Sequence, residues 1–524
     1  MLGSRQRSEP MFYYVRVEDI VPEGHLLRMV DRYVDFSFIR GKVKHLYSHT
    51  GWPSIDPEVF IRMLLIGYLY GITSERRLCE EVQMHIGYRW FVGLSLEEKV
   101  PDHSTFSKNR HERFAEGTVF QEIFDAVVTQ CISKGLVGGK HITVDSTHIK
   151  ANASFKSLDP IVVEMKPEEY IGKLENENPR EDEPWEPGKD YPLKGQKASN
   201  NSHRAKTDPD ARLSRKSSTA ATMLCHAATY VMDNKRRVIV GVDNGAPDRK
   251  TDCEKALQQI RRVQWRYRIR PESVGADKGY SAGEFINNLI NEGIDPHIPI
   301  MDYRSQNDKG IYPIERFTFD KERNVFICPE GKELRYWGIH KHSRQHVYRA
   351  KRKSCTFCPQ KALCTRDSAR SVSFHIYEDS IKKARELNKT KGYKISQHMR
   401  KRIEELFGEA KEFMGLRRAK FRGAQFFREQ VLMTATAQNI KRMVKLLSRG
   451  GDQKEAIATS YPMVFSFIGG LFKLLTWWIQ KIGGIPSGRK DRFVTTWFFN
   501  SLTRPDPCIS CICVAPLCTG NFCG

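Results

Sequence analysis

Two short apolar runs, I-T-V at 142–144 and S-V-G-A at 273–276, each stop on an aspartate, Asp145 and Asp277. Runs of this kind between polar residues read as buried strands. C-H-A-A-T-Y-V-M, R-V-I-V-G-V-D and H-I-P-I read as further strands, and D-C-E-K-A-L-Q-Q-I-R-R-V as a helix. Strands followed by helices predict an α/β core, where functional groups gather just past the strand ends. The two aspartates are therefore candidates for one site. Either one alone is equally a strand-end cap or a turn residue. Hard carboxylate oxygens suit Mg²⁺. Two such ions can activate a nucleophile and stabilise a leaving oxygen in phosphodiester chemistry, but two aspartates are too few for that. A third carboxylate has to come from elsewhere.

The helix containing R-K-R-I-E-E-L-F-G-E-A-K, Arg400 to Lys411, is the natural source. At about 100° per residue, Ile403, Leu406, Phe407, Ala410, Phe413 and Met414 fall on one arc. Arg400, Glu404 and Lys411 form a stripe along one edge of that arc, while Glu405 and Glu409 fall on the outer face. A carboxylate between two cations beside a buried face can bind metal while its neighbours hold phosphates. The alternative is an ordinary solvated helix face.

The chain has 524 residues, which predicts two to four domains. Lysine and arginine number 85 against 62 acids, a net charge of +23. That excess points to a polyanionic partner, nucleic acid first and anionic membrane second. The N-terminus M-L-G-S-R-Q-R-S-E-P has no apolar run, so no signal peptide is expected. With that context, the 13 cysteines read as reduced thiols or metal ligands of a cytosolic protein.

Residues 1–125 read as helical. Asp56-Pro57-Glu58 is a helix start, and P-D-H-S-T-F-S-K-N-R-H-E-R-F is a basic helix expected to expose Ser107, Lys108, Arg110 and His111. The pattern is that of a helix-turn-helix module, with a plain bundle as the alternative. Residues 155–215, rich in Glu, Lys, Pro and Asn, read as a charged loop insertion in the core. Residues 301–378 read as a β-rich insertion carrying Cys328, Cys355, Cys358 and Cys364, a set that fits a structural Zn²⁺ site or, alternatively, free thiols. In the 449–524 tail, Pro462 to Gln480 is just long enough to span a bilayer. Gly469-Gly470 and Lys473 argue instead for a hydrophobic, cysteine-rich appendage.

V-D-S-T-H-I-K-A, A-D-K-G-Y-S and R-x3-E-x6-K, in this order, resemble the DDE transposases of bacterial insertion sequences. The closest resemblance is to the group whose third carboxylate sits in Y-x2-R-x3-E-x6-K. I-D-P-E-V-F-I-R-M-L-L-I-G-Y-L-Y-G and V-P-D-H-S-T-F-S-K-N-R resemble that group's N-terminal region, and the likeness spans roughly residues 10 to 445. The chain departs at the signature tyrosine, where it has Gln397, with Tyr393 one turn earlier.

The resemblance implies an α/β, RNase H-like mixed-sheet core built from 136–300 and 379–448, with an N-terminal helical DNA-binding domain. Asp145, Asp277 and Glu404 would be the triad holding Mg²⁺ or Mn²⁺. Arg400 and Lys411 would meet DNA at the site, and Ser107, Lys108 and Arg110 in the N-terminal domain. The implied partners are double-stranded DNA, as terminal inverted repeats and target, and a second copy of the chain, in the bacterial cytoplasm at the nucleoid. The competing readings are an inactive DNA-binding protein, such as a decayed transposase or repressor, and an RNase H-like nuclease without strand transfer.

Overall fold

The computed structural model describes residues 16–47, 54–114, 118–161, 198–215, 219–300, 311–340 and 343–448. The chain divides into two units, 1–448 and 449–524. The apolar segment at 462–480 and the tail cysteines lie outside the described residues. No helix among the described residues is long and apolar enough to cross a membrane.

Eight helices lead the chain: α1 (Val17–Ile20), α2 (Leu26–Tyr33), α3 (Phe38–Val43), α4 (Pro57–Leu69), α5 (Glu75–Met84), α6 (Ile86–Val92), α7 (His103–Lys108) and α8 (Val119–Ser133). Helix α4 begins where the sequence predicts. The Asp56 carboxylate accepts the Glu58 N–H at 2.8 Å and Pro57 takes the first turn. Its residues from Phe60 to Leu69 are almost all buried, so it needs cover on every side. That cover comes partly from the rest of the chain: one apolar core runs from Leu27 in α2 through Ile142 and Val274 to Val444. The N-terminal helices and the mixed sheet therefore share a single core.

The mixed sheet contains β1 (His141–Lys150), β2 (Arg212–Ser214), β3 (Met223–Asp233), β4 (Ile239–Gly245), β5 (Ser273–Gly275) and β6 (Asp295–His297). Its order is β2-β3-β1-β5-β6, with β4 also on β3. The pairs β1–β3, β3–β4 and β2–β3 are antiparallel, and β1–β5 and β5–β6 are parallel. Leaving aside the short edge strand β2, the sequence order across the sheet is third, second, first, fourth, fifth. This is the RNase H-like arrangement. Between β4 and β5 runs α9 (Arg249–Tyr267), capped by Asp248, and between β5 and β6 runs α10 (Gly283–Asn291).

The loop expected at 155–215 is structured at both ends. Leu158–Pro160 pairs with His203–Ala205, and β2 joins the main sheet. A small cluster of Ala151, Ala205, Ala211 and Leu224 holds these ends down. The interior of the segment lies outside the described residues.

The second insertion is β-rich, as expected. Strands β7 (Thr318–Asp320), β8 (Val325–Ile327), β9 (Glu333–His340), β10 (Gln345–Ala350) and β11 (Ser371–His375) form an antiparallel meander. It has its own core of Phe317, Phe326, Leu334, Tyr348, Ala350 and Val372. The chain then returns to the main sheet through α11 (Glu378–Leu387) and the 23-residue α12 (Lys391–Phe413). Helix α13 follows at 424–448, buried nearly all round between 427 and 440.

Candidate active site

Parallel register brings the two aspartates together. His141, Ile142 and Thr143 of β1 pair with Ser273, Val274 and Gly275 of β5. Asp145 lies two residues beyond the Thr143–Gly275 pair on one strand, and Asp277 two residues beyond it on the other. Asp277 leaves the strand into a single 3₁₀ turn, Lys278–Tyr280, which its carboxylate caps by accepting the Gly279 N–H at 2.8 Å. A side chain at 279 would put a Cβ 2.8 Å from that same oxygen and push the Asp277 carboxylate aside. The Asp145 carboxylate accepts the N–H of Ser146 at 2.8 Å.

Helix α12 brings Glu404 to the same strand ends. Ile403, Leu406, Phe407 and Ala410 are buried as the periodicity requires, although Phe413 is exposed. The Phe407 ring stacks on Tyr230 with centroids 4.6 Å apart, and Tyr230 is the register partner of Asp145. That contact brings the Arg400–Glu404 edge over the strand ends. The Arg400 guanidinium lies 3.0 Å from Glu404 and 4.0 Å from Asp145, bridging the two acids. Lys411, at the far end of the stripe, donates to the Thr147 hydroxyl, two residues along β1 from Asp145.

The electrostatics are strained in one direction. The Asp145 carboxyl is pushed up to about 7, by burial first and then by Asp277 and Glu404, against the lowering pull of the Ser146 N–H and Arg400. The protein therefore crowds acids here without fully compensating them.

Sequence reasoning missed Asp252, in the first turn of α9. Its carboxyl is pushed up to about 6 by burial, with Asp248 and Asp277 adding to the rise and a Ser146 hydrogen bond opposing it. The Ser146 hydroxyl also meets Tyr280 at 2.7 Å and Thr229 at 2.8 Å. An acid at a helix start is ordinary dipole chemistry, so only packing reveals its neighbours.

Two expectations need correction. Arg110 does not face DNA. It is 2% exposed, with its guanidinium 2.8 Å from Glu75 and hydrogen-bonded to Glu429 at 2.6 Å. The chain passes there from α7 into a π turn, Asn109–Arg113, which rotates Arg110 inward. Lys108 is exposed and Ser107 half-buried. Glu409 is not a solvated charge either: it pairs with Lys441 at 2.6 Å and accepts from Gln438 at 3.2 Å, because α13 packs against that side of α12. Glu405 is exposed as expected, though paired with Arg237. Gln397 stands at the signature tyrosine position. It points into the fold and bonds backbone carbonyls.

In the insertion, Cys328, Cys355 and Cys364 pack against its core. The Cys364 thiol is pushed up by burial, with Cys328, Cys355 and Cys358 adding to the rise. The Cys328 sulfur accepts the Lys332 N–H at 3.3 Å. Among the described residues, no group of three or more His, Cys, Asp or Glu side chains stands arranged to hold a metal ion.

Two family models match the chain. One is a transposase domain, DUF772, over residues 15–112, and the other a transposase DDE domain over residues 327–444. The second contains Arg400, Glu404 and Lys411 along with the four insertion cysteines; Asp145 and Asp277 fall between the two matches. Among solved structures, a piggyBac transposase synaptic complex with hairpin DNA aligns at 10% identity and TM-score 0.30, over 93% of this chain and 86% of that one. A Mos1 transposase paired-end complex with left transposon end aligns at 11% identity and TM-score 0.14, over 48% of this chain and 60% of that one. No curated protein matches the sequence. Both matched models are transposase domains, and in this order they support a DDE-type transposase.

Proposed function

We propose that the protein cuts DNA at transposon ends and joins the freed ends to target DNA, with Asp145, Asp277 and Glu404 as its catalytic carboxylates. The observation that carries this is the shared register of Asp145 and Asp277, with the Arg400–Glu404 edge of α12 laid over Asp145. The donor set fits a hard divalent cation in kind: carboxylates whose mutual repulsion the protein leaves unbalanced. Mg²⁺ or Mn²⁺ held by these three would supply nucleophile activation and charge neutralisation at phosphorus.

The protein's own groups do the rest. Arg400 and Lys411 flank the acids and hold the phosphates on either side. In the first step a water oxygen attacks phosphorus, the bond to the 3′ oxygen breaks, and that oxygen leaves as a 3′-hydroxyl. In the second step this hydroxyl attacks a target phosphodiester and displaces another 3′ oxygen, so bonds are exchanged one for one with no protein intermediate. The +23 charge supports double-stranded DNA as partner. A pair of ends to be joined calls for two copies of the chain, and a cytoplasmic, nucleoid-associated setting follows from the substrate.

The test is to incubate the protein and Mg²⁺ with its flanking genomic DNA and a target plasmid, then map the products. Cut ends and joined plasmid are expected. Binding without cutting supports the inactive DNA-binding reading, and cutting without joining supports a nuclease. Binding should weaken linearly in log affinity against log salt, because phosphate contacts release counterions. An affinity flat from low to moderate salt would contradict a phosphate-based interface.

The four insertion cysteines fit a structural zinc in chemistry, since four thiolates close a tetrahedron with no open position. Mass spectrometry of the purified protein should find one zinc per chain, lost in a Cys355→Ser, Cys358→Ser variant. Zinc absent from the wild type, or retained by the variant, would count against it.

A further inference from the structure

Helix α12 meets the main sheet over unusually close ground. Gly275, the last residue of β5, has no side chain between it and the helix. A Cβ there would lie 2.6 Å from the Ser396 hydroxyl and 3.5 Å from that of Thr143. Ser396 is buried, and its hydroxyl has no hydrogen-bond partner among the described residues. It is present as a small packing group, and something else must fix where the helix sits along the strands.

Gln397 is placed to do so. Its amide nitrogen donates to the Ala276 carbonyl at 3.2 Å and to the His297 carbonyl at 2.6 Å. Ala276 directly precedes Asp277, and His297 ends β6. Both carbonyls lie where strand pairing stops, and a carbonyl left unpaired near a buried interface is costly. One amide thus ties two strand ends to the helix. A side-chain bond from a helix to backbone fixes translation and rotation together, which apolar contacts alone do poorly. Glu404 follows seven residues later, about two turns on and about 20° from Gln397 around the axis. The same face that is tied at Gln397 presents Glu404.

We propose that Gln397 is a positioning residue: its amide clamps α12 to the ends of β5 and β6 and thereby sets the placement of Glu404 against Asp145 and Asp277. This rests on the reading of Glu404 as the third carboxylate. It gives the departure from the Y-x2-R-x3-E-x6-K pattern a physical meaning. The position anchors the helix from inside the fold, with a donor that a phenol of different length and direction does not reproduce at both carbonyls.

The test uses the full chain with Gln397→Leu, which keeps the bulk and removes the donor, and Gln397→Glu, which sets a carboxylate against two carbonyls. Hydrogen exchange of the α12 amides is read with no DNA or metal, taking the buried α13 amides as the internal reference. Calcium, as a non-catalytic probe, is titrated by calorimetry, and end-DNA affinity is measured alongside. Both variants should exchange faster at 397–408 with α13 unchanged. They should bind Ca²⁺ about tenfold or more weakly, because ligand sets tolerate only small misplacement, while DNA affinity stays within about twofold. Gln397→Asn, which keeps a shorter amide, should fall between them and the wild type. Unchanged α12 exchange would overturn the clamp whether or not the protein cuts DNA. Faster α12 exchange with unaltered Ca²⁺ affinity would overturn the link to Glu404. Failure of the catalytic reading itself is seen separately, as wild-type protein whose Ca²⁺ affinity does not change on Asp145→Asn.

Discussion

Glu404→Gln should lower Mg²⁺-dependent cleavage of end DNA by about a thousandfold or more while leaving binding of that DNA nearly unchanged. The substitution is isosteric and the side chain is 57% exposed, so the fold loses little. What goes is the negative charge of the carboxylate that Arg400 links to Asp145. Glu405→Gln serves as the neighbouring control. It is exposed and pairs with Arg237 at the surface, so stability should move by about ±0.5 kcal/mol with activity kept. Glu409→Gln is a second control of a different kind. It breaks the contact with Lys441 and should cost about 1 kcal/mol of stability without touching the chemistry. Normal cleavage by Glu404→Gln, or a dead Glu405→Gln, would show that the wrong glutamate has been chosen.

Arg110→Ala should destabilise the protein by about 3–5 kcal/mol, the cost of stranding buried acids when their partner is removed. The guanidinium hydrogen-bonds Glu429 and Glu75, meets the Tyr68 hydroxyl at 3.1 Å and lies 4.7 Å from the Phe421 ring centre. Nearby, Lys420 sits 4.2 Å from the Tyr68 ring centre with its ammonium pushed down to about 7, by burial first and then by Arg110. Glu429 is buried, and the small cavity lined by Glu75, Arg110 and Lys420 has room for about one water at most, so solvent gives the freed carboxylates little help. Replacing Arg110 and Glu429 together with methionines should cost less than the single alanine, because the fully buried Glu429 is then no longer left without its partner. Denaturant unfolding of the three variants measures this. A loss under about 1 kcal/mol for Arg110→Ala would mean the acids are solvated in solution. At matched folded protein, the salt slope of DNA binding should not change, since Arg110 meets no phosphate.

These two residues also mark how far the chain could be read unaided. Asp145 and Asp277 were legible because a strand's end is written locally: a few apolar residues, then an acid. Glu404 was legible because helical period separates it from Glu405 and Glu409. The β-rich insertion and the α4 cap were legible on the same local grounds. Arg110 was misread because its partner, Glu429, is 319 residues away. In sequence, a basic residue on a basic helix looks solvated whether or not a distant acid awaits it. Glu409 was misread for the same reason, since Lys441 belongs to a helix whose docking side the period of α12 alone does not reveal. Asp252 was passed over because its neighbours Ser146, Asp277 and Tyr280 come from two other stretches of chain.

The sequence by itself determined the element types, the acids at the strand ends and the face on which Glu404 lies, since each depends on contacts within a few residues. Only the tertiary structure decided that β5 runs parallel to β1 in the register that aligns Asp145 with Asp277. It also decided that Gln397 reaches two strand ends, and that the N-terminal helices close over the same core as the sheet. Register, helix docking and ion pairing are long-range choices, settled by which buried polar groups must find partners, and a local stretch of chain carries no record of them.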